Sequence, residues 1–192
     1  MRGGATVAVI IPALDEAASI VGVIRHIPDG VDHLVVVDNG STDDTGGVAR
    51  RSGARVVRQP ERGYGAACLV GIASLAPAAP DVMVFLDGDH ADDPREMDRL
   101  VDPIIAGEAD LVLGSRTLGR REPGVLTLQA RFGNWLACTL IRALWHATFT
   151  DLGPFCAINW AALAGLGVRG VVGAGAKILG VIARHAVGRR FA

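Results

Sequence analysis

Asp81-Val82-Met83-Val84-Phe85-Leu86-Asp87-Gly88-Asp89-His90 is the stretch that decides the fold. Val82 to Leu86 is apolar throughout, with no polar alternation, which predicts a strand buried on both faces inside a parallel sheet. The strand ends in two acids around one glycine. A carboxylate pair one residue apart at a strand edge suits Mg²⁺ or Mn²⁺, hard cations that take oxygen ligands and bridge phosphate oxygens. Asp87 and Asp89 are therefore candidate metal ligands, with a phosphorylated ligand beside them.

On either side the same pattern repeats. Val7 to Ile11 is a β-branched run ended by Pro12, and Asp15 to His26 carries helical spacing through Ile20, Val23, Ile24 and Ile27. Leu34 to Val37 predicts a second strand, closed by Asp38-Asn39-Gly40-Ser41, with Thr42 or Asp43 capping a helix that runs to about Ser52. Ala54 to Arg58 predicts a third strand, Gly65 to Leu75 a helix, Pro94 to Ala106 another, and Asp110 to Gly114 a fifth strand. Strands alternating with helices imply an α/β domain whose largely parallel sheet is covered on both faces. Ligands of such sheets bind beyond the carboxyl ends of the strands.

Several other pieces fall on that edge. Asp38, in Asp38-Asn39-Gly40-Ser41, can accept a hydrogen bond from a base or a ribose, although turn formation alone also accounts for the sequence. Arg62-Gly63-Tyr64-Gly65 precedes a helix, so its backbone donors and Arg62 are candidates for phosphate. Gly114-Ser115-Arg116 brings a permanent cation to the end of the fifth strand. Asp92 and Asp93 stand just before Pro94, where first-turn acids cap a helix with proline at its first position, and capping is their expected role.

Composition narrows the function classes. Half of the 192 residues are hydrophobic, enough for one domain with a substantial core. A mean hydropathy of +0.35 is high for a soluble domain and points to contact with lipid or a large partner. The net charge of −1 gives no general attraction to nucleic acid. Cys68, Cys138 and Cys156 are far apart and odd in number, which fits reduced thiols in a cytoplasmic setting. The apolar run Ala5 to Leu14 is too short and too soon followed by acids for a signal peptide, and no run reaches the roughly 18 residues of a membrane span. Leu126 to Phe149 is apolar and aromatic, with Arg131, Arg142 and His146 within it, and predicts helix packed on the sheet edge or lying at a bilayer surface.

Taken in order, Val9-Ile10-Ile11-Pro12-Ala13-Leu14-Asp15-Glu16, Val35-Val36-Val37-Asp38-Asn39-Gly40-Ser41-Thr42-Asp43, Arg62-Gly63-Tyr64-Gly65-Ala66-Ala67, Phe85-Leu86-Asp87-Gly88-Asp89 and Gly114-Ser115-Arg116 resemble the family-2 glycosyltransferases with a GT-A fold. Gly133-Asn134 and Thr150-Asp151-Leu152-Gly153-Pro154-Phe155 most resemble the branch that uses dolichol or polyprenol phosphate. The resemblance covers roughly Thr6 to Leu163. It implies a Rossmann-like sheet followed by a helical C-terminal segment, and metal-dependent, inverting transfer of a hexose from a nucleotide sugar. The implied acceptor is a polyprenyl phosphate, and the implied setting is the cytoplasm or the cytoplasmic face of the membrane. By position, Pro12, Ala13, Glu16 and Asp38 would hold the nucleoside, Asp87 and Gly88 would meet ribose and phosphate, and Asp89 would bind the metal. Arg116 and Arg131 match positions facing the donor diphosphate and the acceptor phosphate.

The chain departs from the pattern at Asp15, where Asn is usual, at Asn39, where a second Asp is common, and at Ala91, where the lipid-phosphate branch often has Gln. Residues 1–163 are expected to form the transferase domain. Residues 164–192, rich in Gly, Ala and Val, lack the acceptor-side helix, strand and basic loop of the family, so a truncated, frame-altered or divergent segment is expected there. Two alternatives keep the fold: a soluble sugar, glycerate or peptide as acceptor, or a catalytically weak nucleotide-sugar-binding protein associated with a membrane. A dinucleotide oxidoreductase ranks below these, since no G-x-G-x-x-G follows the first strand.

Overall fold

The computed structural model describes residues 3–114, 139 and 153–165. Its centre is β1 (Val7–Ala13), buried at all seven positions. β1 pairs in parallel with β2 (His33–Asp38) on one side and β4 (Val82–Phe85) on the other. β3 (Arg55–Arg58) extends the sheet beyond β2. Past β4 lie β6 (Cys156–Asn159) and β5 (Leu111–Leu113), giving the order β3-β2-β1-β4-β6-β5.

The helices are α1 (Ile20–His26), α2 (Thr45–Arg51), α3 (Tyr64–Leu75), α4 (Met97–Ile105) and α5 (Trp160–Gly165), with a 3₁₀ turn, Pro94–Glu96, leading into α4. Strand alternation sorts them into two layers. Val7, Val9, Ile11 and Ala13 face one core with α1, α2 and α4, where Ile20, Val23, Ala49, Leu100 and Ile104 are buried. Ala8 and Ile10 face the other, with Ala67, Cys68 and Leu75 of α3 and Leu163 of α5. This is the doubly covered α/β sheet that the strand and helix pattern implies.

Pro12 lies inside a central strand, which normally needs every backbone donor. Ile10 accepts from the Leu86 N–H and Ala13 from the Asn39 N–H. Even positions of β1 therefore turn towards β4 and odd ones towards β2. The missing Pro12 donor falls on the β4 side, past the last registered pair, Ile10 with Phe85.

Two elements differ from expectation. Residues Asp15 to Ser19 are not helical: Asp15 has φ +56° and α1 begins only at Ile20. β6, which no sequence pattern announced, runs antiparallel to both β4 and β5, so the sheet is mixed at that end. Asn159 at its end accepts from the Ala162 N–H at 3.0 Å and so caps α5. Thr139 is helical, but the rest of the helix expected over Leu126 to Phe149 lies outside the described residues, as do residues 166–192. Among the described residues no helix is long and apolar enough to cross a membrane.

α3 lies close to the sheet because Gly71 has no side chain: a methyl there would stand 2.7 Å from Ile10 Cγ2 and 3.2 Å from Val37 Cγ2. In an open helix Gly→Ala gains about 1 kcal/mol, whereas overpacking a core costs about 1–3 kcal/mol. The clash is with rigid β-branched side chains, so the cost prevails. Gly71→Ala is expected to lower stability by about 1–2 kcal/mol, read as an earlier midpoint in urea denaturation at unchanged slope.

Candidate active site

The parallel strands β1, β2, β3 and β4 all end at one edge, and the loops that follow them are tied to one another there. After β1, Asp15 Oδ1 accepts from the Thr42 N–H at 2.6 Å and the Thr42 hydroxyl at 3.0 Å, both from the loop after β2. In return the Asp15 N–H donates to Ser41 Oγ at 3.1 Å, the Glu16 N–H to Thr45 Oγ1 at 2.8 Å and the Ala17 N–H to Asp43 Oδ2 at 3.1 Å. The Thr45 hydroxyl also bonds the Asp43 carboxylate. Asn39, 6% exposed, accepts on Oδ1 from the Gly63 N–H at 3.2 Å, which joins the loop after β2 to the loop after β3. Gly40 has φ +80°, and a methyl there would lie 3.1 Å from the Pro60 carbonyl oxygen, so a side chain is excluded twice over.

Within this frame Asp38 Oδ1 accepts from the Ser41 N–H at 2.9 Å. Pro12 and Ala13 are buried and offer backbone and methyl surface rather than free polar groups. Glu16 is held by the Ser19 hydroxyl at 2.6 Å on Oε2. Gly88 is packed beneath the first loop: a methyl on it would stand 3.4 Å from Ile20 Cδ1 and 3.5 Å from both Ala13 Cβ and Glu16 Cγ. Pro12, Ala13, Glu16, Asp38, Asp87, Gly88 and Asp89 thus meet at one edge. Arg62 joins them from the loop after β3, exposed and with its stem beside Gly40. Arg116 and Arg131 lie outside the described residues.

Asp89 is exposed, with Oδ1 accepting from the Ala91 N–H at 2.8 Å in a tight Asx turn. His90 follows in a left-handed conformation, φ +66°, and lays its ring over Gly22 of α1, 5.5 Å from the ring of His26. Asp93 caps the 3₁₀ turn as expected, accepting from the Arg95 N–H at 3.0 Å, and also takes the Arg95 guanidinium at 2.8 Å. It is accounted for structurally. Asp92 turns one oxygen away from solvent.

Among the described residues no three His, Cys, Asp or Glu side chains converge as a metal cage. Two carboxylates at an open edge are instead what Mg²⁺ or Mn²⁺ takes, the remaining positions going to phosphate oxygens and water. The edge offers two such groups, the exposed Asp89 and the half-buried Asp87, whose Oδ1 is turned away from solvent.

Residues 8–164 match the sequence model of Glycosyl transferase family 2. The chain belongs to that family. An uncharacterized family relative, a glycosyltransferase of Mycobacterium tuberculosis, is 39% identical over 167 residues, which are 86% of this chain and 72% of the relative. Glucosyl-3-phosphoglycerate synthase of the same species is 41% identical over 120 residues, 56% of this chain and 36% of the synthase. A crystal structure of that synthase with Mn²⁺, UDP-glucose and phosphoglyceric acid superposes with a TM-score of 0.64 at 32% identity, covering 84% of this chain and 59% of the solved chain. The family-2 chain therefore spans little more than half of that solved relative. The likeness covers the GT-A sheet.

Sequence reasoning missed one feature of this family-2 site. Asp15, which the sequence offers as the start of a helix and as a departure from Asn, is the main tie between the first two loops.

The Thr42 N–H, then the Thr42 hydroxyl, hold the Asp15 carboxyl below the usual carboxylate range, and the Thr45 hydroxyl does the same for Asp43. A carboxylate whose folded pKa is depressed stabilises the fold above its unfolded value, about pH 4, and loses that contribution as pH falls through the folded pKa. Asn tolerates the left-handed backbone at this position and keeps the acceptor but not the charge. Asp15→Asn is therefore expected to melt below the native chain at pH 7, with the gap closing beneath about pH 4. Thermal melts across that range measure it.

Proposed function

We propose that this chain is a glycosyltransferase that takes a hexose from a nucleoside-diphosphate sugar, UDP-glucose being the reference donor, and passes it to a small phosphorylated acceptor of the phosphoglycerate kind. The observation that carries the proposal is the meeting of Asp38, Asp87, Gly88 and Asp89 at one sheet edge, backed by a relative solved with Mn²⁺, UDP-glucose and phosphoglyceric acid. Asp38 is placed to accept from the base or ribose, over the wall made by Pro12 and Ala13. Gly88 lets the acidic loop pack close beneath the first loop, with no side chain between it and Ala13, Glu16 and Ile20. Asp87 and Asp89 hold the divalent ion, which when bound neutralises charge on the leaving diphosphate. Arg62 adds positive charge from the neighbouring loop. The ties through Asp15, Thr42, Asn39 and Gly63 fix these groups before the donor arrives, so little ordering is left to binding.

The polyprenyl-phosphate acceptor expected from Arg131 and the apolar stretch after it rests on residues outside those described. The relatives favour the small-acceptor alternative. A cytoplasmic setting, where reduced thiols and nucleotide sugars coexist, and a transferase unit ending near Leu163 belong to the same proposal.

Purified protein given UDP-glucose, Mn²⁺ and 3-phosphoglycerate should release UDP, and nucleotide sugars should raise its melting temperature only with the metal present. Asp89→Ala should stay folded, lose the metal-dependent shift and lose turnover by a hundredfold or more, on the order of a lost charge-stabilising group. Transfer to polyprenyl phosphate and none to phosphoglycerate would replace the acceptor. No metal-dependent shift with any nucleotide sugar would remove the donor assignment.

A further inference from the structure

The acidic loop after β4 rests on one helix, α1. Gly88 is buried, and a methyl on it would lie 3.4 Å from Ile20 Cδ1, where α1 begins. Two residues on, His90 lays its ring on the backbone of Gly22, where a methyl would take the space of Nε2 and stand 3.2 Å from Cδ2. The same ring meets His26 edge to face, with centroids 5.5 Å apart and planes at 67°. Gly22 and His26 stand one turn apart, so a single side of α1 receives the ring.

Asp89 lies between the two residues that touch α1. Asp89 and His90 are both exposed, so burial does not fix this part of the loop. Asp89 Oδ1 accepts from the Ala91 N–H at 2.8 Å, which shapes the turn locally without fastening it to another element. His90 holds φ +66°, a left-handed backbone that a residue other than glycine keeps only where its surroundings over-determine it. On the facing side, a glycine inside a helix of seven residues weakens that helix relative to alanine. Both departures meet at one contact: the left-handed turn aims the ring at α1, and the bare Gly22 backbone gives it room.

We propose that His90 is a positioning residue for Asp89, its ring seated on Gly22 and against His26 so that the acidic loop is held down on α1 and the carboxylate stands in one place at the sheet edge. The inference rests on the donor site proposed above and adds to it a contact made on α1, outside the acidic loop.

Gly22→Ala fills the seat from the α1 side. The ring is the end of a side chain and can swing away, and alanine favours helix, so this variant should melt at or above the native temperature. His90→Asn removes the ring and keeps a residue type that tolerates a left-handed backbone, so it should melt with the native protein. Each should weaken UDP binding, measured by calorimetry with Mn²⁺, about fivefold, the scale of one side chain that must be ordered on binding. UDP binding without metal should not change. In a His90→Asn background Gly22→Ala should cost less than about a further twofold, because no ring is left to displace. Native Mn²⁺-UDP affinity in both variants, with loss in Asp89→Ala, would overturn the role of His90 and leave the donor site standing. Native affinity in Asp89→Ala as well would overturn the donor site and this inference with it. Loss in one variant and not the other, losses that add in the double variant, or an earlier melt of Gly22→Ala would mark a merely structural contact and overturn the proposal.

Discussion

β1 is buried along its whole length between two layers of helices, and the rest of the molecule follows from that constraint. No polar side chain is tolerated between Val7 and Ile11 without a partner, because a buried polar group without a hydrogen bond costs several kcal/mol, about 1–3 by mutational measure. Chemistry is therefore expelled from the sheet to where its strands stop. Parallel pairing of β1 with β2 and β4, and of β2 with β3, then makes four strands stop on the same side. The loops that follow are short and polar, and they satisfy one another: Asp15 with Thr42, Asn39 with Gly63, Asp38 with Ser41. These hydrogen bonds hold Asp38 and the loops after β1, β2 and β3 in place.

That logic explains what the sequence made legible. Continuous apolar runs such as Val82 to Leu86 and Leu34 to Val37 identify buried strands, and the acids closing them identify the edge, since both signals are local. Pro94 after Asp93 likewise marks a helix entry that the structure contains. β6 was not legible, because Cys156-Ala157-Ile158-Asn159 is only four residues with a single β-branched one and passes directly into α5. Its strand character comes from β4 and β5 on either side. Asp15 was read as the start of a helix because the apolar spacing begins nearby, yet its bonds to Ser41 and Thr42 come from 26 and 27 residues away.

The antiparallel strand also divides the labour of the site. β5 ends at Leu113, and Gly114 donates its N–H to the Phe155 carbonyl at 2.8 Å just before β6 begins. Cys156 is registered with Phe85 and with Leu113, so the chain re-enters the sheet at the carboxyl edge, beside the strand that carries Asp87. The stretch between Gly114 and Gly153 thus departs from and returns to the functional edge. The edge beyond β1, β2 and β3 is built from loops tied to each other by hydrogen bonds. β1, β2 and β4 hold their register, and the loops after β1, β2 and β3 hold their ties, through contacts made among residues 7–86. The acids that close β2 and β4 therefore owe their common edge to the register of the parallel strands, which is set before β5 is reached.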